Sequence, residues 1–204
     1  QAELLSHNSA AAVEFHDSLQ AERLLSALKA ERVAAAQVLV GPLTQAVPDR
    51  TAVLGQLQKA LLAAKICAYA QGFSLLKAAD NEHQWSLPMG TVASVWRAGC
   101  IIRVRLLEDI HHAHDRSPGL DNLLMDTHFS EVMARCQQAL REVVALGALN
   151  GVAVPSFMSA LGYYDAYRSA RLPANLLQAQ RDYFGAHTYQ RVDRPGKFHT
   201  RWTH

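Results

Sequence analysis

Two side chains near the end of the chain have the right chemistry to hold a phosphate or a carboxylate. They are Arg181 and His187, placed on either side of a helix stop in Asn175-Leu176-Leu177-Gln178-Ala179-Gln180-Arg181-Asp182-Tyr183-Phe184-Gly185-Ala186-His187-Thr188-Tyr189. A guanidinium fork reads two anionic oxygens at once, and an imidazole adds a third donor that switches near neutral pH. The plainer reading of the same spacing is an Arg on a solvated face and a His over the last helical carbonyls. The element that must position them is a short helix. Pro173 precedes it, Asn175 serves as cap or first-turn residue, and Leu176, Leu177, Gln180, Tyr183 and Phe184 recur at helical spacing. Gly185 is expected to take the left-handed turn that ends it.

The rest of the chain reads as helices joined by short polar connections. A stripe of Leu19, Leu24, Leu25, Leu28, Val33 and Val38 starts from about Ser18 and is expected to run to Gly41-Pro42. A long helix follows from about Thr51 to Ala79, with Leu54, Leu57, Leu61, Leu62, Ile66, Tyr69, Ala70, Phe73 and Leu76 at helical spacings. Further helices are expected over about 91–114, 128–149 and 155–169. Arg97, Arg103 and Arg105 form a basic face read as structural or solvated. No alternating strand pattern stands out, and the tail 190–204 is expected to be extended, either disordered or tied into another chain. The fold class expected is all-α, divided as a divergent segment 1–16, a helical domain 17–189 and a tail 190–204.

His111-His112-Ala113-His114-Asp115 invites a metal reading, because His111 and Asp115 stand one helical turn apart. No other ligands occur at the usual spacing, and histidines at a helix C-terminus suit its dipole, so no metal is expected. Cys67, Cys100 and Cys136 are odd in number and lie in apolar helical patterns, which favours buried thiols over a disulfide framework.

Composition bounds the function classes. Half of the 204 residues are hydrophobic and 19% are charged, the balance of a globular domain with a full core. A formal charge of +2 is too small to argue for nucleic acid or an acidic membrane surface. No apolar run reaches the roughly 20 residues of a membrane span, and a cytoplasmic location is expected. The sequence contains no Gly-x-Gly-x-x-Gly after a strand, no P-loop and no Gly-x-Ser-x-Gly.

Several ordered motifs resemble decarboxylating 6-phosphogluconate dehydrogenases. These are the string Arg181 to Tyr189 with Leu172-Pro173-Ala174-Asn175-Leu176 before it, and Lys65-Ile66 with Tyr69-Ala70-Gln71-Gly72-Phe73. Trp96-Arg97 with Gly99-Cys100-Ile101-Ile102-Arg103, and Tyr164-Asp165 with Tyr167-Arg168, complete the set. The resemblance covers about Leu19 to His204. It implies the all-helical C-terminal domain of an enzyme that oxidises 6-phosphogluconate with NADP, releasing carbon dioxide and ribulose 5-phosphate in the pentose phosphate pathway. It also implies a homodimer in which the C-terminal tail of one subunit reaches into the other. Arg23, followed by Leu24-Leu25-Ser26-Ala27-Leu28-Lys29, resembles the family segment that helps hold the substrate phosphate. Arg181 and His187 would reach the same phosphate from the partner. From its own spacing alone, Arg23 reads as a helix-surface residue paired with Glu22 or Asp17.

Other family segments have no counterpart here. The Rossmann half is one, and with it a complete NADP site. The catalytic segment His-Asn-Gly-Ile-Glu-Tyr-Gly-Asp-Met with its preceding Lys is another, and the Gly-Lys-Trp expected shortly before Arg23 is a third. No catalytic residue is therefore assigned, and the cofactor-binding residues stay unknown. The leading expectation is a substrate-binding and dimerisation domain that is inactive alone. A nucleotide-binding half supplied elsewhere is a second reading, and a helical assembly or binding module without dehydrogenase function is a third. The segments without counterpart would normally cover apolar surface, so a large exposed patch or self-association is expected.

Overall fold

The computed structural model describes residues 23–43, 45–46, 49–99 and 105–202. Helix α1 comprises described residues 23–27, followed by α2 (Lys29–Ala35), α3 (Arg50–His83), α4 (Met89–Gly99) and α5 (Leu106–Arg116). A 3-10 turn (Leu123–Met125) leads into α6 (Thr127–Leu149), α7 (Pro155–Tyr167) and α8 (Asn175–Gly185). Two short strands, β1 (Tyr189–Gln190) and β2 (Lys197–Phe198), pair antiparallel with Tyr189 opposite Phe198. The all-α expectation holds. The chain forms two compact units, one up to Tyr164 and one from Asp165.

In the first unit α3 pairs with α6, and α4 with α5. Asp49 starts α3 by accepting the Ala52 N–H at 3.1 Å, and Gln84 ends it in the left-handed conformation. The face that α3 buries is mostly small: Ala60, Ala63, Ala64, Cys67 and Ala70, with Ile66 and Phe73. Small side chains let the backbone of α6 approach, and Phe129, Met133, Cys136, Leu140 and Val143 of α6 fill the space. Leu54, Leu57, Leu61 and Leu62, which share the apolar spacing of this helix, are exposed, Leu54 by 54%. Cys67 and Cys136 are buried free thiols as expected, and burial pushes the Cys67 thiol up to about 12. Ser18, Cys100 and Arg103, and the side chain of Arg97, lie outside the described residues.

The long helix expected up to Gly41 breaks at Leu28, whose ψ is 43°. Side chains compete with the helix for its own carbonyls there. Ser26 Oγ donates to Arg23 O at 2.7 Å, and Arg32 Nε donates to Leu25 O at 2.8 Å. Of the helix expected over about 91–114, the described residues form α4 and α5, and residues 100–104 lie outside the described residues.

Polar groups lock the connections. Lys77 Nζ donates to Gly119 O, Leu120 O and Asp121 Oδ1, holding the turn after α5 against α3. Asn122 donates to Ser74 Oγ and Tyr163 Oη while its own Oδ1 accepts the Leu124 N–H. Asp126, almost fully buried, caps α6 by accepting the His128 and Phe129 N–H groups and also receives Arg116 at 2.9 Å. That single carboxylate ties the end of α5 to the start of α6.

Candidate functional site

The second unit is built around one carboxylate. Asp182, on α8, is fully buried, and four donors converge on it. Its Oδ1 accepts from the Thr188 N–H at 3.0 Å and from His199 Nδ1 at 2.9 Å. Its Oδ2 accepts from the Thr200 N–H and from Trp202 Nε1, both at 2.9 Å. Burial alone would raise the pKa of such a group. The Thr200 N–H, the His199 and Trp202 donors and the His199 charge outweigh it and hold the carboxyl at about 2. The tail is therefore neither free nor simply extended. It turns back as a hairpin onto α8 of its own chain, with Tyr189 Oη bonded to Thr200 Oγ1 at 2.7 Å and the Arg194 guanidinium 4.5 Å above the Phe198 ring.

This anchoring decides where Arg181 and His187 stand. The exit from α8 is tight, with Ala186 at φ 51° and Thr188 at φ 61°. Both are left-handed conformations that cost an L residue on the order of 1 kcal/mol. The Asp182 carbonyl accepting the Ala186 N–H and the Asp182 carboxylate accepting the Thr188 N–H hold both in place. Gly185, expected in the left-handed position, is the last residue of α8, and Ala186 takes that conformation instead. The glycine is needed for a different reason. A Cβ there would lie 2.7 Å from His187 Nε2 and 2.9 Å from its Cδ2, so the imidazole rests where a side chain would be.

Arg181 is four residues before Gly185 and shares its helix face. The His187 ring over Gly185 therefore stands on the Arg181 side of α8. Arg181 is half-buried and makes no hydrogen bond or ion pair among the described residues; His187 is exposed. The result is a cationic fork and an imidazole on one helix face, both with donors to offer an anion. Arg23, the third expected substrate-binding residue, belongs to the first unit, exposed on α1 with its guanidinium also unpaired among the described residues. Elsewhere α8 exposes the polar Asn175 and Gln180 beside the apolar Leu176, Leu177, Tyr183 and Phe184; Phe184 is 76% exposed.

Sequence reasoning singled out Arg181 and His187 but gave no role to Asp182, His199, Thr200 or Trp202. The available signal was an Asp embedded in the apolar spacing of α8, together with a hydrogen-bonding tail His199-Thr200-Arg201-Trp202.

The family model for the C-terminal domain of 6-phosphogluconate dehydrogenase matches residues 7–202. The chain belongs to this family. It is 52% identical over 181 residues to the NADP(+)-dependent, decarboxylating 6-phosphogluconate dehydrogenase of Bacillus subtilis, covering 88% of this chain and 39% of that protein. It is 51% identical over 180 residues to the decarboxylating enzyme of Staphylococcus aureus strain N315, covering 88% of this chain and 38% of that protein. Among solved structures it is similar to Plasmodium falciparum 6-phosphogluconate dehydrogenase, described in apo form, with its cofactor NADP+ and with its substrate 6-phosphogluconate. The TM-score is 0.79 at 37% identity, over 88% of this chain and 39% of the other. The chain thus spans under two fifths of the length of these relatives. No helix among the described residues is long and apolar enough to cross a membrane.

Proposed function

We propose that this chain is the substrate-anchoring and assembly domain of an NADP-dependent, decarboxylating 6-phosphogluconate dehydrogenase. Arg181 and His187 bind the phosphate of 6-phosphogluconate, and Arg23 of a partner subunit completes the charge around the dianion. Two guanidinium groups and an imidazole match a phosphate in charge and in donor number. The observation that carries this reading is the α8 exit, where a buried carboxylate fixes a strained turn and His187 stands over Gly185, one helical turn beyond Arg181. A turn held at that cost suits a binding surface set before its ligand arrives.

The chain assembles as a homodimer whose C-terminal segment contributes to the partner's site. Supporting this, α8 presents Leu176, Leu177, Tyr183 and Phe184 to solvent, and α3 presents Leu54, Leu57, Leu61 and Leu62. Exposed apolar side chains grouped on one helix are the kind of surface that partners cover. Positioning groups alone do not oxidise a substrate. Hydride transfer to NADP and the accompanying proton transfers require the nucleotide-binding portion of the enzyme in addition to these residues.

The test is calorimetric titration of the purified chain with 6-phosphogluconate and, separately, with gluconate. Saturable binding of the phosphorylated compound alone supports the assignment. Self-association without binding of either compound would favour the assembly module that has lost dehydrogenase function.

A further inference from the structure

Helix α5 carries a second group of chemically capable side chains that the α8 site does not use. His111, His112 and Asp115 occupy positions i, i+1 and i+4, and one ligand atom from each lies within 4.8 Å of the others. Spacing alone set a metal aside here, because no further ligand follows at a familiar interval. The fold adds what spacing does not show. His111 Nδ1 lies 3.0 Å from the Gly90 carbonyl oxygen at the start of α4. A carbonyl only accepts, so Nδ1 carries a ring proton and Nε2 is the nitrogen left to face Asp115. That nitrogen lies 3.2 Å from Asp115 Oδ2. A lone pair and a carboxylate oxygen at this distance repel unless a cation, either a proton or a metal ion, sits between them.

A backbone carbonyl that fixes the tautomer and aims the free nitrogen is the usual support of a metal-binding imidazole. The His112 ring, 5.4 Å from that of His111, brings the third donor. The group lies in the last two turns of α5, where the helix dipole favours positive charge. Gly90 keeps the space open. A Cβ there would sit 3.0 Å from His111 Nδ1 and 3.2 Å from Asp115 Oδ1. A cavity of about 430 Å³ lined by Pro88, Gly90, Thr91, His114 and Asp115 opens beside the carboxylate. His114, buried against Phe73, has neither ring nitrogen bonded among the described residues.

We propose that α5 binds one divalent transition-metal cation through His111 Nε2, His112 and the Asp115 carboxylate. Two imidazoles and one carboxylate suit ions of the zinc, nickel and cobalt class and leave further coordination positions for water. The site is independent of the α8 anion site, since no residue is shared.

The test is calorimetric titration of the untagged chain with zinc chloride. One zinc ion per chain with micromolar affinity is expected. The affinity should fall at least about tenfold in both His111→Ala and Asp115→Asn, with the helical circular dichroism unchanged. Gly90→Ala keeps every ligand yet crowds the pair, and should weaken zinc by about 10- to 100-fold, the range for disturbed ligand support. His128→Ala, on another helix, should leave the affinity unaltered. Absence of saturable zinc binding, or affinities within twofold of the parent chain in both ligand variants and in Gly90→Ala, would overturn the proposal.

Discussion

Replacing Gly185 by Ala separates what α8 needs for folding from what the anion site needs. At an ordinary helical position the change favours the helix by up to about 1 kcal/mol, because Gly loses more backbone freedom on folding. Gly185 is the last residue of α8 and its φ is not left-handed, so this gain is open to it. The new Cβ would, however, fall 2.7 Å from His187 Nε2 and 2.9 Å from Cδ2, closer than carbon atoms approach in real structures. The atoms in the way belong to a mobile ring, so the ring leaves and the helix stays. If the ring donates one hydrogen bond to the phosphate dianion, its loss costs about 1.5–3 kcal/mol, the range for bonds to charged groups. That equals a rise of about 10- to 150-fold in the Kd for 6-phosphogluconate. The assay is calorimetry beside thermal melting, with His187→Ala and the double variant completing a cycle. The expected pattern is an unchanged or raised Tm, weakened binding, and no further loss when Gly185→Ala is added to His187→Ala. Affinity within twofold of the parent chain, or equal losses adding in the double variant, would refute the argument that Gly185 exists to seat His187.

Three other outcomes follow from the structure. Asp182 has a folded pKa near 2, below its ordinary 3.8. Its contribution to stability is therefore complete above about pH 4 and is lost as pH falls from about 4 toward 2. Trp202 fluorescence and near-ultraviolet circular dichroism should report the hairpin leaving α8 in that window in the parent chain, but at neutral pH in Asp182→Ala. Asp126→Ala removes the α6 cap and the ion pair to Arg116. It should cost about 2–3 kcal/mol in urea unfolding, and a loss below about 0.5 kcal/mol would contradict the capping role. Phe184→Glu places a charge on the exposed apolar face of α8 and should shift the chain from dimer toward monomer in light scattering. An unaltered mass would remove α8 from the interface.

Much of the architecture was legible because it follows from periodicity and punctuation. The stripes in 51–79 and 128–149, the Pro155 start and the stop after Leu149 specify α3, α6 and α7 closely. What periodicity cannot say is which side of an apolar helix meets a partner. On α3 alanines are buried and several leucines left open, because close approach to α6 rewards small residues. The break at Leu28 depends on two side chains taking main-chain carbonyls, which no spacing pattern encodes. At the α8 site, the cations Arg181 and His187 stood out by residue type and by the resemblance of the string that holds them. Their support did not. Asp182 meets Thr200 and Trp202 only because the tail reverses at a hairpin too short to show strand alternation, and Gly185 looks like a turn residue until the His187 ring is in place.

The central claim is that Arg181 and His187 form a phosphate-reading surface on α8. Titrating the parent chain and Arg181→Ala with 6-phosphogluconate under identical conditions tests it most directly. The account predicts saturable binding in the parent chain and a loss of about 10-fold or more in the variant, with helical content and oligomeric mass unchanged. Equal affinity in the two proteins, or no saturable binding in a well-folded dimeric parent, would contradict it.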